Sequence, residues 1–192
     1  MKAIACGWNL VPLAEVPPTP WRNGGGSTRE LLAWPPSNDS QDWRVRLSVA
    51  EVARDGPFSA FPGVQRRFAV LSGAGVRLQI GGMVQHLDSA SAPFGFDGGA
   101  AVDCTLVDGP TQDFNLMLRG SGGSMERLHG QRTASFDAPV LIAIYARGPC
   151  TAGTFRSEKL EIPAQTLAWR ILEPGGRLKA VAQDALWMEV VL

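Results

Sequence analysis

Two stretches of the sequence place polar side chains at alternate positions, where they can act together on a small molecule. Arg46 and Ser48 alternate with valine and leucine, and Asp113, Asn115 and Met117 alternate with phenylalanine and leucine. Alternate side chains of a β-strand share one face. Arginine binds carboxylates bidentately, and amide and acid groups read amide donors and acceptors. The pattern predicts a site for a small ligand with carboxylate and amide groups, with a solvated outer face as the alternative.

A run of three glycines, Gly24 to Gly26, follows Trp21 and Asn23. Consecutive glycines offer no side-chain packing and cost entropy to order. One interpretation is a flexible loop. The other is a loop whose backbone approaches a ligand, with Trp21 and Asn23 as contacts and backbone amides as donors to an anion. The run does not match a nucleotide-binding loop, because no Gly-Lys-Ser or Gly-Lys-Thr ending follows it.

The connection from Gly56 to Arg66 is rich in turn residues, and turn geometry alone explains its prolines and glycines. Phe58 and Phe61 within it are predicted to be hydrophobic plugs. Arg66 begins the next apolar run and is a third candidate contact for an anion.

Other chemistry is poorly supported by the sequence. The only histidines, His86 and His129, are far apart and form no H-x-H pair, so the sequence predicts no metal site and no other cofactor. No serine lies in a G-x-S-x-G elbow. Carboxylates that could act as acid or base are Glu30, Asp103, Asp108 and Asp113. Because nothing in the sequence brings them together, acid–base catalysis stays an open alternative.

Short apolar runs separated by turn residues carry these side chains. Glycine (22) and proline (14) recur along the whole chain, which is typical of an all-β fold. The predicted strands are 44–52, 66–72, 76–80, 102–107, 113–119, 140–146, 166–172 and 186–192. Residues 28–33 are predicted to form a turn or a short strand, and one or two short helical turns are expected.

The small, polar segment from Gly120 to Ser124 indicates a joint within a stretch that extends to about Ser135. We therefore divide the chain into residues 1–125, with the ligand pocket, and residues 126–192. The two halves show a weak internal repeat, since 69–75 resembles 142–148 as a strand running into a glycine turn. The repeat predicts two stacked jelly-roll barrels, with chance similarity between hairpins as the alternative.

Composition excludes several classes of protein. The 192 residues contain 18 lysines and arginines and 18 aspartates and glutamates, so no net positive field attracts nucleic acid or an anionic membrane. Three dispersed cysteines, Cys6, Cys104 and Cys150, argue against a disulfide framework. No apolar stretch resembles a signal peptide or a membrane span. A cytoplasmic location is expected.

Four motifs together resemble the HutD/Ves family. They lie at Pro20 to Glu30, Arg46 to Ala50, Gly56 to Arg66 and Gly109 to Arg119, in order and at plausible spacing. One position departs from the family pattern, since Val45 stands where a tryptophan usually precedes the arginine. The resemblance covers residues 20 to 119 and extends to the second half through length and repeat pattern.

The resemblance implies a bicupin, a double-stranded β-helix repeated twice, and a link to bacterial histidine utilisation, in which such proteins are thought to sense an intermediate such as formylglutamate. The implied pocket consists of Trp21, Asn23, Arg46, Ser48, Ser59, Phe61, Arg66, Asp113, Asn115 and Met117. In this hypothesis Arg46 and Arg66 bind carboxylates, and Asn23 and Asn115 orient an amide or formyl group. Asp113 accepts an amide proton or positions an arginine, and the aromatic rings exclude water.

Three functions follow from these expectations. The first is a non-enzymatic protein that binds a small anionic ligand and tunes histidine catabolism. The second is a metal-independent isomerase or hydrolase that uses Asp113 or Glu30 as base, since a fold does not decide function. The third is an interaction module, including a homodimer.

Overall fold

The chain is all-β in a computed structural model that describes residues 3–5, 7–37, 39, 42–155 and 159–192; Cys6 lies outside these ranges. Within them the structure contains β-strands and one 3-10 turn, Leu13–Glu15. The all-β prediction is confirmed. In the same ranges, no helix has the length and apolar character needed to cross a membrane.

The strands form two compact units, residues 17–120 and residues 1–16 with 121–192. The first unit contains β3 Thr19–Pro20, β4 Gly26–Trp34, β5 Val45–Val52, β6 Gly56–Pro57, β7 Val64–Ser72, β8 Val76–Ile80, β9 Met83–Leu87, β10 Phe94–Asp97, β11 Val102–Leu106 and β12 Thr111–Arg119. The second contains β1 Ala3–Ala5, β2 Trp8–Pro12, β13 Gly123–Phe136, β14 Val140–Ala146, β15 Cys150–Thr154, β16 Leu160–Ile162, β17 Thr166–Leu172 and β18 Gly176–Val191.

This division differs from the predicted one of 1–125 and 126–192 at the N-terminus. Strand β2 pairs antiparallel with β17, with Leu10 opposite Ala168, so the first residues join the second unit. The boundary after Gly120 lies in the predicted joint, yet most of that stretch is strand β13, paired along its length with β18. Its side chains alternate in burial but include many polar residues, which is why the sequence suggested a linker.

The unit of residues 17–120 consists of two antiparallel sheets. One has the order β10-β7-β12-β5-β4-β3, and the other has the order β6-β11-β8-β9. Both sheets contribute to one apolar core, in which Phe68 and Val70 of β7 pack with Leu78 of β8 and Val102 of β11. The six-stranded sheet turns one face to this core and to the cavity described below.

The second unit is one eight-stranded sheet with the order β1-β2-β17-β14-β18-β15-β16, in which β13 also pairs with β18. Strand β14 is buried at every position, as its uninterrupted apolar sequence predicts. The unit has its own core, which includes Trp8, Ile142 and Trp187.

The predicted strands are confirmed, with bounds that shift by up to about two residues in most cases. Residues 28–33 lie in the nine-residue strand β4, and residues 186–192 form the end of the much longer β18. The expected short helical turn is the 3-10 turn after β2.

Candidate functional site

Three neighbouring strands, β5, β12 and β7, carry the polar side chains singled out in the sequence. Their register places Met117 between Arg46 and Arg66, and it places Asn115 between Ser48 and Phe68. Cross-strand neighbours on one face of an antiparallel sheet lie close enough for their side chains to touch. The alternation predicted from the sequence therefore brings residues from three distant segments onto one surface.

This surface lines a cavity of about 770 Å³ within the unit of residues 17–120. All the predicted site residues except Asp113 line it: Trp21, Asn23, Arg46, Ser48, Ser59, Phe61, Arg66, Asn115 and Met117. A cavity of this size is typical of small-molecule sites.

Several lining residues were not in the predicted set: Thr19, Pro20, Arg22, Thr28, Glu30, Ala50, Val52, Pro57, Phe58, Ala60 and Phe68. Thr28 and Glu30 belong to β4, whose register places them opposite Ala50 and Ser48. Their alternate spacing was visible in the sequence, but the pairing of β4 with β5 was not.

Arg66 is the central cation of the cavity. It is only 7% exposed, and its Nη2 donates a hydrogen bond to Oδ1 of Asn115 at 2.7 Å. The guanidinium carbon lies 4.9 Å from the ring centre of Phe96 and 5.3 Å from that of Phe58. Such stacking attracts a cation to the electron-rich ring faces.

Arg66 forms no ion pair with a carboxylate in the described part of the chain, and its buried Nε has no hydrogen-bond partner there. Burial, followed by the charge of Arg46, lowers the pKa of Arg66 to about 10. Both causes disfavour the charged form, so the site holds a cation whose charge the protein does not balance.

Arg46 is held differently. Its Nε donates to Oε2 of Glu30 at 2.7 Å, and its Nη1 lies 4.0 Å from the sulfur of Met117. The ion pair is partly exposed, with 22% of the Arg46 side chain and 46% of the Glu30 side chain accessible. Arg46 therefore enters the cavity with its charge already compensated.

The glycine run is a turn that joins β3 and β4. The Gly24 amide donates to the Trp21 carbonyl at 3.0 Å, and the Gly25 amide donates to Oδ1 of Asn23 at 2.9 Å. These two amides are thus occupied within the loop, unlike the anion donors that the sequence suggested. A Cβ atom on Gly26 would lie 2.1 Å from the Glu51 carbonyl oxygen, so close packing against β5 requires glycine there.

The same turn places Trp21 against the cavity. Its indole Nε1 donates to Oγ1 of Thr28 at 2.8 Å, and its ring packs partly buried against the apolar core. The hydrogen bond fixes the orientation of the ring, so Trp21 forms a rigid apolar wall.

Asp113 lies elsewhere than the predicted site requires. It is fully buried, does not line the cavity, and pairs across the sheet with Ala50 and Val70. Its Oδ2 accepts a hydrogen bond from Thr111 at 2.8 Å, while Oδ1 has no partner among the described residues. One role expected of Asp113, positioning an arginine, is filled by Asn115, which lies two residues closer than Asp113 to the Met117–Arg66 pair along β12.

Burial raises the pKa of Asp113 to about 7, and the hydrogen bond from Thr111 opposes that shift only in part. The two described cysteines are also buried. Burial raises the pKa of Cys104 to about 12, with a further contribution from the charges of Asp113 and Asp55, and burial raises the pKa of Cys150 to about 11. These thiols are protonated at neutral pH and are not activated nucleophiles.

In the described part of the chain, no three His, Cys, Asp or Glu side chains are grouped so that they could hold a metal ion. The polar lining of the cavity consists of guanidinium, amide, hydroxyl and a single carboxylate. This set of groups recognises an anion by hydrogen bonds and charge.

A family model described as HutD matches residues 13–188. The chain belongs to the HutD/Ves family. Protein Ves from Citrobacter koseri is 38% identical over 108 residues, and an uncharacterized 21.2 kDa protein in the hutC 3' region of Pseudomonas putida is 38% identical over 109 residues. Each match covers 56% of either protein, so the chain spans about half the length of these relatives.

Solved structures extend the similarity over nearly the whole chain. HutD from Pseudomonas fluorescens SBW25 has a TM-score of 0.78 at 26% identity, covering 96% of this chain and 98% of that one. A Cupin 2 conserved barrel domain protein from Leptotrichia buccalis has a TM-score of 0.54 at 8% identity, covering 100% and 99%. The second similarity concerns the fold alone and confirms the cupin prediction for this HutD/Ves protein.

Proposed function

We propose that this HutD/Ves protein binds a small carboxylate-bearing molecule in the cavity of residues 17–120 and acts in histidine utilisation by sensing or buffering it. Formylglutamate is the ligand we propose to test first. The family name and the hutC-region relative support the link to histidine utilisation.

The observation that carries the proposal is the uncompensated charge of Arg66. Burying an arginine without a counter-ion costs several kcal/mol in typical proteins, on the order of the penalty for one desolvated ion. Arg46 adds to that cost, because its charge acts on Arg66. A ligand carboxylate beside Arg66 would offset this desolvation penalty. The ion pair would therefore contribute more binding free energy than an ion pair with an exposed arginine.

The surroundings of Arg66 suit an oriented carboxylate. Asn115 holds one end of the guanidinium, and the rings of Phe58, Phe61 and Phe96 surround it. Arg66 lines the cavity, so its guanidinium can donate to a ligand oxygen there. A preoriented guanidinium loses little entropy on binding, which favours affinity.

The remaining lining fits an amide or formyl group. Ser48 and Asn115 offer hydroxyl and amide groups beside Arg66, and Trp21 and Met117 form apolar walls. A formylated amino acid contains the matching carbonyl and amide groups.

Catalysis is not part of the proposal. Asp113, one candidate base, does not line the cavity, and Glu30, the other, is paired with Arg46 at 2.7 Å. A base must reach the proton that it removes, usually within about 3 Å.

The test is a thermal-shift and calorimetric titration of the purified protein with histidine, urocanate, formiminoglutamate and formylglutamate, with product analysis of each mixture. A ligand that binds only the native state raises its stability by an amount set by its concentration and Kd. We expect saturable binding of an unchanged carboxylate ligand, which Arg66→Gln abolishes and the matched surface variant Arg77→Gln retains.

Turnover of one of these compounds would make the protein an enzyme and contradict the proposal. Binding that is equally strong in Arg66→Gln and in the wild type would remove the observation on which it rests.

Several expectations from the sequence stay predictions beside this proposal: a cytoplasmic location, no nucleic-acid or membrane partner, a possible homodimer, and no cofactor. We also propose that the two compact units are the two halves of a bicupin. The separate sheets and cores of the units support that interpretation.

A further inference from the structure

Three arginines line the cavity; Arg22 is exposed, and the other two, Arg46 and Arg66, differ in what already neutralises them. Arg46 is paired with Glu30 through one nitrogen, Nε, whereas Arg66 contacts the amide of Asn115. Both Glu30 and Arg46 line the same cavity as Arg66. Among the described residues that line the cavity, Glu30 is the only one with a carboxylate, and that carboxylate is bound to Arg46.

The position of Glu30 is set by the sheet. It lies opposite Ser48 in the β4–β5 pair, immediately before the register shift that separates Glu30 from Leu32. Its side chain reaches Arg46, which faces Ala33 two residues beyond that shift. A bulge re-aims the side chains on either side of it, which explains why Glu30 contacts a residue that is not its direct neighbour.

A second carboxylate on a ligand would meet Arg46 and Glu30 together. Glu30 contacts Arg46 at Nε, and Nη1 lies 4.0 Å from the sulfur of Met117, so the Nη groups keep hydrogens that can be donated to a ligand carboxylate. The negative charge of Glu30 repels a ligand carboxylate and so offsets the attraction of Arg46 for it. A neutral ligand amide is not repelled, and its NH2 group can donate a hydrogen bond to the Glu30 carboxylate.

We propose that Glu30 is a specificity-determining residue: it lowers the affinity for dicarboxylates such as N-formylglutamate relative to ligands with one carboxylate and one neutral hydrogen-bonding group, without preventing the binding of the dicarboxylate. This inference rests on the proposed function, because it takes the first carboxylate to be bound at Arg66. Glu30 then sets how strongly the cavity distinguishes a dianion from a monoanion of the same shape.

The test compares two ligands that differ in a single group, N-formylglutamate and N-formylglutamine, by isothermal titration calorimetry at low ionic strength. In Glu30→Gln we expect the affinity for N-formylglutamate to rise about fivefold to tenfold relative to that for N-formylglutamine. The size follows from a partly exposed charge interaction of about 1 kcal/mol. Added salt should reduce the change.

Two controls separate this effect from a general change of charge. Glu51→Gln removes a carboxylate from the neighbouring strand β5 that does not line the cavity, and it should leave the ratio of the two affinities unchanged. In an Arg46→Gln background, Glu30→Gln should no longer favour the dicarboxylate, because the cation that it uncovers is absent.

A ratio that is the same in Glu30→Gln and in the wild type would overturn the inference while leaving the anion site at Arg66 intact. A ratio that shifts toward N-formylglutamate in Glu30→Gln, with N-formylglutamate still bound by the wild type, would support it. If neither ligand binds the wild type or any variant, the proposed function fails, and this inference fails with it.

Discussion

The two units of the protein each place an arginine on aromatic rings, but only one of them balances its charge. Arg66 in the unit of residues 17–120 stacks near Phe58 and Phe96 and has an amide as its hydrogen-bond partner. Arg132 in the other unit lies 5.0 Å from the ring centre of Trp187 and forms ion pairs with Glu126 and Glu189.

The acid–base behaviour of the two arginines follows their partners. Burial lowers the pKa of Arg132, but hydrogen bonds to Glu126 and Glu189 outweigh it, so the pKa is raised. For Arg66, burial and the charge of Arg46 both lower the pKa. Arg132 belongs to a network that supplies its own counter-charges, whereas Arg66 lines a cavity and has no carboxylate partner among the described residues.

Asp113 strengthens this contrast. It is a second buried ionisable group in the unit of residues 17–120, and it lacks a cation within reach of a salt bridge among the described residues. Both arginines stack on aromatic rings, so stacking does not distinguish them; Arg66 is more deeply buried, and only Arg132 has carboxylate partners among the described residues. The counter-charge is therefore what separates the two arginines.

The largest expected effect tests the unbalanced arginine directly. Arg66→Met should weaken the binding of formylglutamate about 1000-fold, because a carboxylate in the cavity would lose its buried partner. The free energy of unfolding should stay the same or rise by about 1 kcal/mol, since an apolar side chain replaces a buried unpaired charge. Calorimetry and urea denaturation measure the two quantities. A variant that is unfolded, or that binds normally, would contradict the assignment.

Asp113 should make the stability of the protein depend on pH. Its folded pKa of about 7 lies above the ordinary value of 3.8, so the unfolded chain loses this proton first. The contribution of Asp113 to stability is therefore fully present below about pH 4, falls as the pH rises to about 7, and is constant above that.

Asp113→Asn removes this dependence. Relative to wild type, the variant should gain on the order of 3 kcal/mol between pH 4 and pH 7, as measured by urea denaturation at several pH values. Thr111→Val removes the hydrogen bond that lowers this pKa, so the loss of stability should extend to higher pH. A difference between Asp113→Asn and wild type that does not change with pH would refute the buried titration.

Asn115→Asp would give Arg66 the counter-charge that Arg132 already has. The new carboxylate would replace an oxygen 2.7 Å from the guanidinium, so we expect about 30-fold weaker binding of formylglutamate and about 1 kcal/mol more stability. Gln112→Glu adds the same charge to the same strand without lining the cavity and should change neither. If Asn115→Asp bound formylglutamate as tightly as the wild type, the ligand would not be acting as the counter-charge of Arg66.

The smallest effect concerns the balanced arginine. Arg132→Met leaves Glu126 and Glu189 without their cation and should lower the free energy of unfolding by about 1 kcal/mol, a modest value because the pair is partly exposed. Binding of formylglutamate should not change. Urea denaturation measures the stability of this variant, and calorimetry measures its affinity for formylglutamate. A loss of binding would argue against separate roles for the two units.

Much of the fold was predictable because it depends on local pattern. The alternation in β5 and β12 and the continuous apolar run of β14 predicted strands whose bounds the structure largely reproduces. Strand β13 was missed, since its polar composition resembles a linker and only its pairing with β18 makes it a strand. The placement of residues 1–16 likewise depends on β2 pairing with β17, a contact between distant segments.

The candidate site shows the same division. Alternation correctly placed Arg46, Ser48, Asn115 and Met117 toward one cavity, because the face of a strand is fixed by residue parity. The same alternation put Asp113 on the cavity-facing side of β12. Whether a side chain on that side reaches the cavity or the core depends on its position along the strand, and Asp113 lies in the core.

By itself, therefore, the sequence determined the all-β class, eight of the eighteen strands of the described residues and the polar face that lines the cavity. Only the tertiary structure decided that Arg66 is buried without a carboxylate, that Glu30 neutralises Arg46, and that Asp113 lies in the core. The physical reason is that charge compensation depends on which side chains converge within about 4 Å, and the register between distant strands sets that convergence.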